Sequence, residues 1–266
     1  MPSEIKTCLI TGAARGIGAA TAHELAGLGW QVIVNFRNSE AEAEQVVTRI
    51  LESGGKGEAM RGDVADRADM ERLAAALHTR GAVLDCLIHN AAAPFQRGPT
   101  SRAAWSPAFT SQLDTSCQGF LNCVQILQPV MSPDCTVLTL LTSALTVFDG
   151  ADTAAYLAGK GALLGLCQGW QRELSAKGRR LILVSPGATK TDLLLRSGGT
   201  HPRQIELLGQ ALDQAGAATP EEVAQQIGRI VTRAATLPTG GPTPLHLVVD
   251  KHAIHRLEWT LHDLDL

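Results

Sequence analysis

The chain has 266 residues, of which 45% are hydrophobic and 18% charged, and its formal net charge is −3. That is the composition of an ordinary globular protein, long enough for one large domain or two small ones. A slightly acidic chain with no basic run and 4% aromatic residues is not built to bind nucleic acid or another polyanion.

The start, Met1-Pro2-Ser3-Glu4-Ile5-Lys6, lacks the apolar core of a secretory signal. The most apolar stretch, residues 136–148, is too short and too rich in threonine to span a bilayer. The six cysteines, at positions 8, 86, 117, 123, 135 and 167, show no C-x-x-C or Cys/His spacing. Most sit in apolar segments, where a free thiol acts as a small hydrophobe. The expectation is a cytoplasmic, reduced protein with no disulfide, metal site or membrane contact.

Residues 5–11 read as a buried strand. Gly12-Ala13-Ala14-Arg15-Gly16-Ile17-Gly18 follows and runs into an alanine-rich helix to about residue 27. A glycine-rich turn between strand and helix lets the backbone approach a pyrophosphate at the helix N-terminus. The spacing is G-x-x-x-G-x-G, not the general G-x-G-x-x-G, but its place after the first strand favours nucleotide binding. A second strand, residues 31–35, ends without the carboxylate that would hold the ribose 2′-OH of NAD. Arg37 and Ser39 stand there instead, with Arg15 in the first turn, and suit a 2′-phosphate. NADP(H) is therefore expected.

A polar amphipathic helix over 40–53 and a short strand lead to Gly62-Asp63-Val64. Residues 66–79 form a helix with Met70, Leu73 and Leu77 at helical spacing. A strand over 83–88 ends at His89-Asn90-Ala91-Ala92. The alternation continues with a long helix (about 110–131), a strand (135–142), a helix (154–174), a strand (180–184) and a seventh strand (245–249). Repeated β-α-β units imply a parallel sheet with helices on both faces. Right-handed crossovers make this a doubly wound α/β sheet of about seven strands. With no linker or break in composition, residues 1–266 read as one domain, with 251–266 as a C-terminal tail.

Tyr156 is the only tyrosine in the chain. Lys160 lies four residues on, over the same helix face. A phenol with an ordinary pKa of about 10 does not ionise readily at neutral pH. A neighbouring ammonium lowers that value. The pair is a candidate general acid/base that gives a proton to a carbonyl oxygen or takes one from an alcohol.

Taken together, these segments resemble the compact single-domain branch of the short-chain dehydrogenase/reductase family, over residues 5–235. Thr11-Gly12-Ala13-Ala14-Arg15-Gly16-Ile17-Gly18 resembles its TGxxxGIG loop, and His89-Asn90-Ala91-Ala92 its NNAG segment. Tyr156 and Lys160 match YxxxK, Ser143 lies 13 residues before Tyr156, and Pro186-Gly187-Ala188-Thr189-Lys190-Thr191 matches PGxxxT. The resemblance implies a Rossmann-like fold and an NADP(H)-dependent oxidoreductase. It implies cofactor contacts from Gly12, Arg15, Gly16, Ile17, Gly18, Arg37, Asp63, Val64, Asn90, Tyr156, Lys160, Pro186, Gly187, Thr189 and Thr191. It also implies that Ser143 holds the substrate oxygen, that Tyr156 donates the proton, and that Lys160 lowers the tyrosine pKa and holds the nicotinamide ribose. Thr191 is also an ordinary helix N-cap.

Three departures stand out. The family's fourth catalytic residue is an asparagine that holds a water beside the lysine; counting back from Gly119 gives Ser116. Strand seven continues into Asp250-Lys251-His252 and an apolar tail (Ile254, Leu257, Trp259, Leu261, Leu264, Leu266). That tail either packs on its own subunit or crosses into a partner. The helix that pairs subunits in relatives carries Trp170-Gln171-Arg172, so a homodimer or homotetramer is expected with its usual form in doubt. A loop after PGxxxT, with Leu193, Leu194, Leu195, Arg196, His201 and Arg203, is expected to cover the substrate. Pro94, Phe95, Leu145, Val147 and Phe148 are expected to line the other wall. The expected substrate is a mostly apolar carbonyl compound, acyl or polyketide-like. Ser116 keeps two other readings open: a redox-neutral isomerase or dehydratase, and an NADP-binding sensor.

Overall fold

Cys8 and Ile10 belong to one hydrophobic cluster and Leu9 to another, and each is fully buried. Side chains alternate across a strand, so this strand is covered on both faces, as in parallel sheets packed between helices. The computed structural model describes residues 5–95, 97, 107–146, 153–199, 201–236 and 244–257. It shows one sheet of eight strands in the order β3-β2-β1-β4-β5-β6-β7-β8. The strands are β1 Thr7–Ile10, β2 Gln31–Phe36, β3 Lys56–Arg61, β4 Leu84–His89, β5 Met131–Leu140, β6 Arg180–Pro186, β7 Leu245–Val249 and β8 Ile254–Arg256. All neighbours pair in parallel except β7 with β8.

Helices α1 (Gly16–Gly27), α2 (Glu40–Glu52) and, late in the chain, α9 (Pro220–Arg233) cover one face through Leu25, Val46, Ile50 and Ile227. The other face is covered by α3 (Arg67–Thr79), α5 (Gly119–Ile126) and α6 (Ala154–Ala176) through Met70, Phe120 and Leu163. Helix α4 (Pro107–Leu113) precedes α5, and α7 (Asp192–Leu195) and α8 (Pro202–Gln214) follow β6. The starts are written in the sequence. Asp66 accepts from the Asp69 N–H at 3.0 Å ahead of α3, and Thr219 and Glu222 close a reciprocal capping box ahead of α9. Strand order reverses between β1 and β4, and in such sheets ligands bind beyond the carboxyl ends at that point.

Four expectations are corrected. The long helix over 110–131 is interrupted by a π-turn, Asp114–Gln118, and α5 ends at Ile126, so β5 begins at Met131 and not at 135. At the turn the His89 side chain enters from β4, with Nε2 3.2 Å from the Ser116 carbonyl. An inserted side chain is a known cause of such a local widening. The segment after PGxxxT is largely helical, as α7 and α8, since Thr191 and His201 each cap a helix start.

The sheet also has an eighth strand, and the tail supplies it. The Asp250 carboxylate accepts from the backbone N–H groups of His252 and Ala253, both at 2.8 Å. This aspartate turn sends the chain back along β7. The tail is therefore a strand on its own sheet as far as residue 256. Trp259, Leu261, Leu264 and Leu266 lie outside the described residues.

Candidate functional site

The carboxyl ends of β1, β2 and β4 open onto a cleft of about 480 Å³. Its floor is the glycine loop, tied to the end of β4. Asn90 Nδ2 donates to the Thr11 and Gly12 carbonyls at 2.8 and 3.0 Å, and Thr11 Oγ1 accepts from the Asn90 and Ala91 N–H groups at 3.1 Å. Gly12 sits at φ 62°, and a Cβ there would lie 2.9 Å from Ala91 Cα. A Cβ at Gly18 would lie 2.5 Å from Asn90 Nδ2. Glycine is needed at both places for the loop to lie this close to β4. Helix α1 begins at an extended Arg15 with no side-chain cap. Its first N–H groups are left for a ligand, the arrangement that suits a phosphate. Gly16 and Ile17 line the cleft beside them.

Arg15, Arg37, Ser39, Asp63 and Val64 line the far end. Arg15 donates to Ser39 Oγ, and its guanidinium is 3.4 Å from the Glu42 carboxylate. Arg37 is 3.5 Å from the Asp63 carboxylate. The end of β2 carries no carboxylate, as expected, but the first turn of α2 brings Glu42 to Arg15. Both arginine side chains are about half exposed, so each ion pair contributes only about 0–1 kcal/mol and redirecting an arginine costs little.

At the other end, Thr191 lines the cleft and caps α7 through the Leu194 N–H at 3.3 Å. Pro186, Gly187 and Thr189 build the turn that carries it. Gly187 N–H donates to the Val249 carbonyl, and Thr189 Oγ1 to the Gly187 carbonyl, each at 2.9 Å. Leu193 and Arg196 reach the same wall, as do Pro94 and Phe95. His201 and Arg203 do not line it. The His201 ring accepts from the Arg203 N–H and caps α8. Val147 and Phe148 lie outside the described residues.

Tyr156 stands behind Phe95. Their rings stack at 4.5 Å between centroids and 19° between planes. The loop carrying Phe95 is anchored by Gln112 of α4, whose Nε2 donates to the Ala93 and Pro94 carbonyls at 3.1 and 2.9 Å. Burial pushes the Tyr156 phenol above its ordinary value, and a hydrogen bond with the Thr142 side chain pulls the other way. Lys160 is buried, and its Nζ donates to the Leu140 carbonyl at 2.7 Å. Burial lowers the Lys160 pKa to about 8. The lowering of the tyrosine by the lysine, expected from their spacing, is thus not what this arrangement does. Desolvation dominates and raises the phenol.

Ser143 is half-buried and opens a 3₁₀ turn, Ser143–Leu145, directly after Thr142. Ser116 lies in the π-turn, 1% exposed, and its hydroxyl has no partner among the described residues. The π-turn meets α6 where Cys117 Sγ approaches the Gly159 carbonyl at 3.9 Å. The π-turn that carries Ser116 thus packs against α6, the helix that carries Tyr156 and Lys160, and Ser143 follows Thr142 after β5. Sequence reasoning missed Thr142; the signal was a second hydroxyl immediately before the spaced serine. It placed His89 in the NNAG-like segment and gave it no contact. Trp170 is half-buried against its own Phe120, at 6.0 Å and 78°.

No helix among the described residues is long and apolar enough to cross a membrane. Residues 12–247 match the family model described as enoyl-(acyl carrier protein) reductase. The chain is 30% identical over 189 residues to the 3-oxoacyl-(acyl-carrier-protein) reductase FabG of Staphylococcus aureus, covering 71% of this chain and 76% of that one. It is 28% identical over 239 residues to the 3-oxoacyl-(acyl-carrier-protein) reductase of Synechocystis sp., covering 90% and 94%. A solved short chain dehydrogenase from Burkholderia cenocepacia, in complex with NADP, has the same fold, with a TM-score of 0.73 at 24% identity over 92% of this chain and 96% of that one. With the glycine loop, the reversed strand order and a match over most of its length, the chain belongs to the short-chain dehydrogenase/reductase family of oxidoreductases.

Proposed function

We propose that the protein is an NADP(H)-dependent reductase that takes a carbonyl compound to its alcohol, and runs the reverse. The reading rests on one arrangement. A half-buried Tyr156, with a buried Lys160 four residues on, stands beside Thr142 and behind Phe95, which lines the glycine-loop cleft. The groups present fit the cofactor. Gly12, Gly16, Ile17 and Gly18 would hold its pyrophosphate, Asp63 and Val64 its adenine, and Arg15, Arg37 and Ser39 its 2′-phosphate. Asn90, Lys160, Pro186, Gly187, Thr189 and Thr191 would surround the nicotinamide end. The bound cofactor supplies the hydride.

The chain's own residues do the rest. Ser143 and Thr142 offer hydroxyls to the substrate oxygen, and Tyr156 gives it a proton. A phenol pushed above its ordinary value is fully protonated at neutral pH, which suits an acid acting on a carbonyl oxygen. Phe95, Pro94 and Leu193 make an apolar wall, and Arg196 adds one charge at its edge. That wall suits an acyl or polyketide-like ketone, in keeping with the acyl-carrier reductases among the relatives. The protein would act in the cytoplasm as a homodimer or homotetramer.

The test is NADPH oxidation against β-ketoacyl thioesters, quinones and simple ketones, with Tyr156→Phe alongside. Turnover is expected with one of these classes, falling roughly 10²–10⁴-fold in the variant while NADPH still binds. NADPH binding without turnover of any carbonyl refutes the reading in favour of a sensor. Substrate conversion with no net NADPH oxidation replaces it by a redox-neutral reaction, the alternative that Ser116 keeps open.

A further inference from the structure

Phe95 stands between the cleft and the acid. The residue lines the cleft with Pro94, Leu193 and Arg196. Its ring lies nearly flat on the Tyr156 ring, with 4.5 Å between centroids and 19° between planes. Tyr156, Thr142 and Ser143 do not line the cleft. A carbonyl that reacts has to touch the Tyr156 hydroxyl and the cofactor in the cleft at once. The Phe95 ring occupies the place between the two.

The backbone that carries this ring is pinned on both sides. Buried Gln112 donates to the Ala93 and Pro94 carbonyls. The Arg97 N–H donates to the Ser197 carbonyl at 2.8 Å, in the short turn that also carries Arg196. Ser197 is itself buried, and its hydroxyl donates to the Leu194 carbonyl at 2.6 Å. Pro94 fixes its own φ just before the ring. The Phe95 side chain is freer, since it is only half-buried and the cleft beside it is open. The ring can leave Tyr156 by turning to another staggered rotamer while the loop stays in place.

We propose that Phe95 is a stand-in for the substrate: the substrate carries a flat aromatic ring bonded or fused at its carbonyl, and that ring replaces Phe95 on the face of Tyr156. The inference rests on the reading of Tyr156 as the acid that meets the substrate oxygen. Stacked rings are worth more than the area they bury. An aryl ketone that displaces Phe95 breaks one stack and makes another with its own ring. A saturated ketone breaks the stack and makes none. That handicap amounts to roughly 2- to 10-fold in affinity. A fixed wall would act differently, because its removal costs every substrate the contact it makes. Removal of a stand-in helps every substrate, because nothing is left to displace.

The test is ketone binding in the presence of NADP⁺, which has no hydride to give, so nothing turns over. The probes are α-tetralone and α-decalone, which share a carbon skeleton and differ in one aromatic ring. Tyr156 is the only tyrosine, so ring-labelled tyrosine gives its NMR signals alone. Phe95→Ala should move these signals in the ligand-free protein, because the ring current of Phe95 is lost. In wild type, α-tetralone should move them as it binds, and should bind roughly 2- to 10-fold more tightly than α-decalone. In Phe95→Ala both ketones should bind more tightly than in wild type, by similar factors.

Weaker binding of both ketones to Phe95→Ala marks a fixed wall and overturns the proposal. So do α-decalone bound as tightly as α-tetralone, Tyr156 signals that α-tetralone leaves unmoved, and no binding of α-tetralone at all. Should Phe95→Ala not fold, Phe95→Leu, apolar and without a flat face, decides by the same signs. A protein that binds α-tetralone against Tyr156 and reduces no carbonyl defeats the proposed function and leaves this inference standing. A protein that reduces ketones but fails these binding criteria defeats the inference alone.

Discussion

Replacing Lys160 by methionine should make the protein more stable at neutral pH. The lysine is buried, and burial lowers its pKa from 10.5 to about 8. A drop of that size means that holding the ammonium in the folded state costs about 3 kcal/mol below pH 8. Methionine avoids this cost and fills a similar volume, but it abandons the Leu140 carbonyl, accepted now at 2.7 Å, at a loss of about 1–2 kcal/mol. The net gain is about 1–2 kcal/mol at pH 7.

The pH dependence follows from which state binds the proton. Between the folded and unfolded values the unfolded lysine keeps a proton that the folded one has lost, so stability rises with pH through that window. Buried thiols act the other way above pH 9, since Cys123 is pushed up to about 12 and Cys86 and Cys135 are also raised. They act alike in both proteins, so the difference between wild type and Lys160→Met isolates the lysine. Urea unfolding at about pH 7 and about pH 9.5 should show the variant's advantage at the lower pH and its shrinking at the higher. A variant less stable at pH 7, or a difference constant with pH, refutes the reasoning.

Gly12→Ala places a side chain on left-handed backbone, a loss of about 1–2 kcal/mol, and drives it against Ala91. Its melting temperature and NADPH affinity should both fall, and wild-type values for both would count against the loop's role. Arg37→Ala should weaken NADPH roughly 10- to 100-fold and leave NADH unchanged, since a lost charge-assisted hydrogen bond is worth about 1.5–3 kcal/mol; Glu42→Gln should strengthen NADPH, and fluorescence titration reads both. His246 is bonded to Ser185 at 2.7 Å, and burial lowers its pKa to about 4. The unfolded histidine binds a proton first, so stability should fall as pH drops from 6.5 towards 4, and chemical denaturation of His246→Gln should show a flatter fall. Truncation after Asp250 bares the β7 edge. It should promote aggregation measured by light scattering, and a truncated chain as soluble as the full one would deny β8 that role.

The strands were legible because their chemistry is local. Cys8, Leu9 and Ile10 alternate between two cores, and β7 begins and ends where its apolar run does. The break at Asp114–Gln118 was not legible. Its cause is a histidine 27 residues earlier in the chain, and no pattern within the helix records it. Strand β8 was hidden for a similar reason. Ile-His-Arg is no strand signal, and its place is decided by the Asp250 turn and by the unpaired edge of β7. The Tyr156–Lys160 spacing correctly put the two on one helix. Their titration depends on desolvation by β5, the π-turn and Phe95, which spacing cannot express.

The π-turn also bears on how this chain can be aligned with others. A π-turn carries one residue more than the α-helical path it replaces. One residue is about 100° of helix rotation. Gln112 on its N-terminal side grips the Ala93 and Pro94 carbonyls, while Phe120 on its C-terminal side packs into the core. Both contacts are met only with the extra residue in place. A comparison that runs this segment without a gap against a regularly wound helix will misassign everything before it, and the gap belongs within residues 114–118. A single-residue deletion there would keep the helix and swing Gln112 off the loop that carries Phe95.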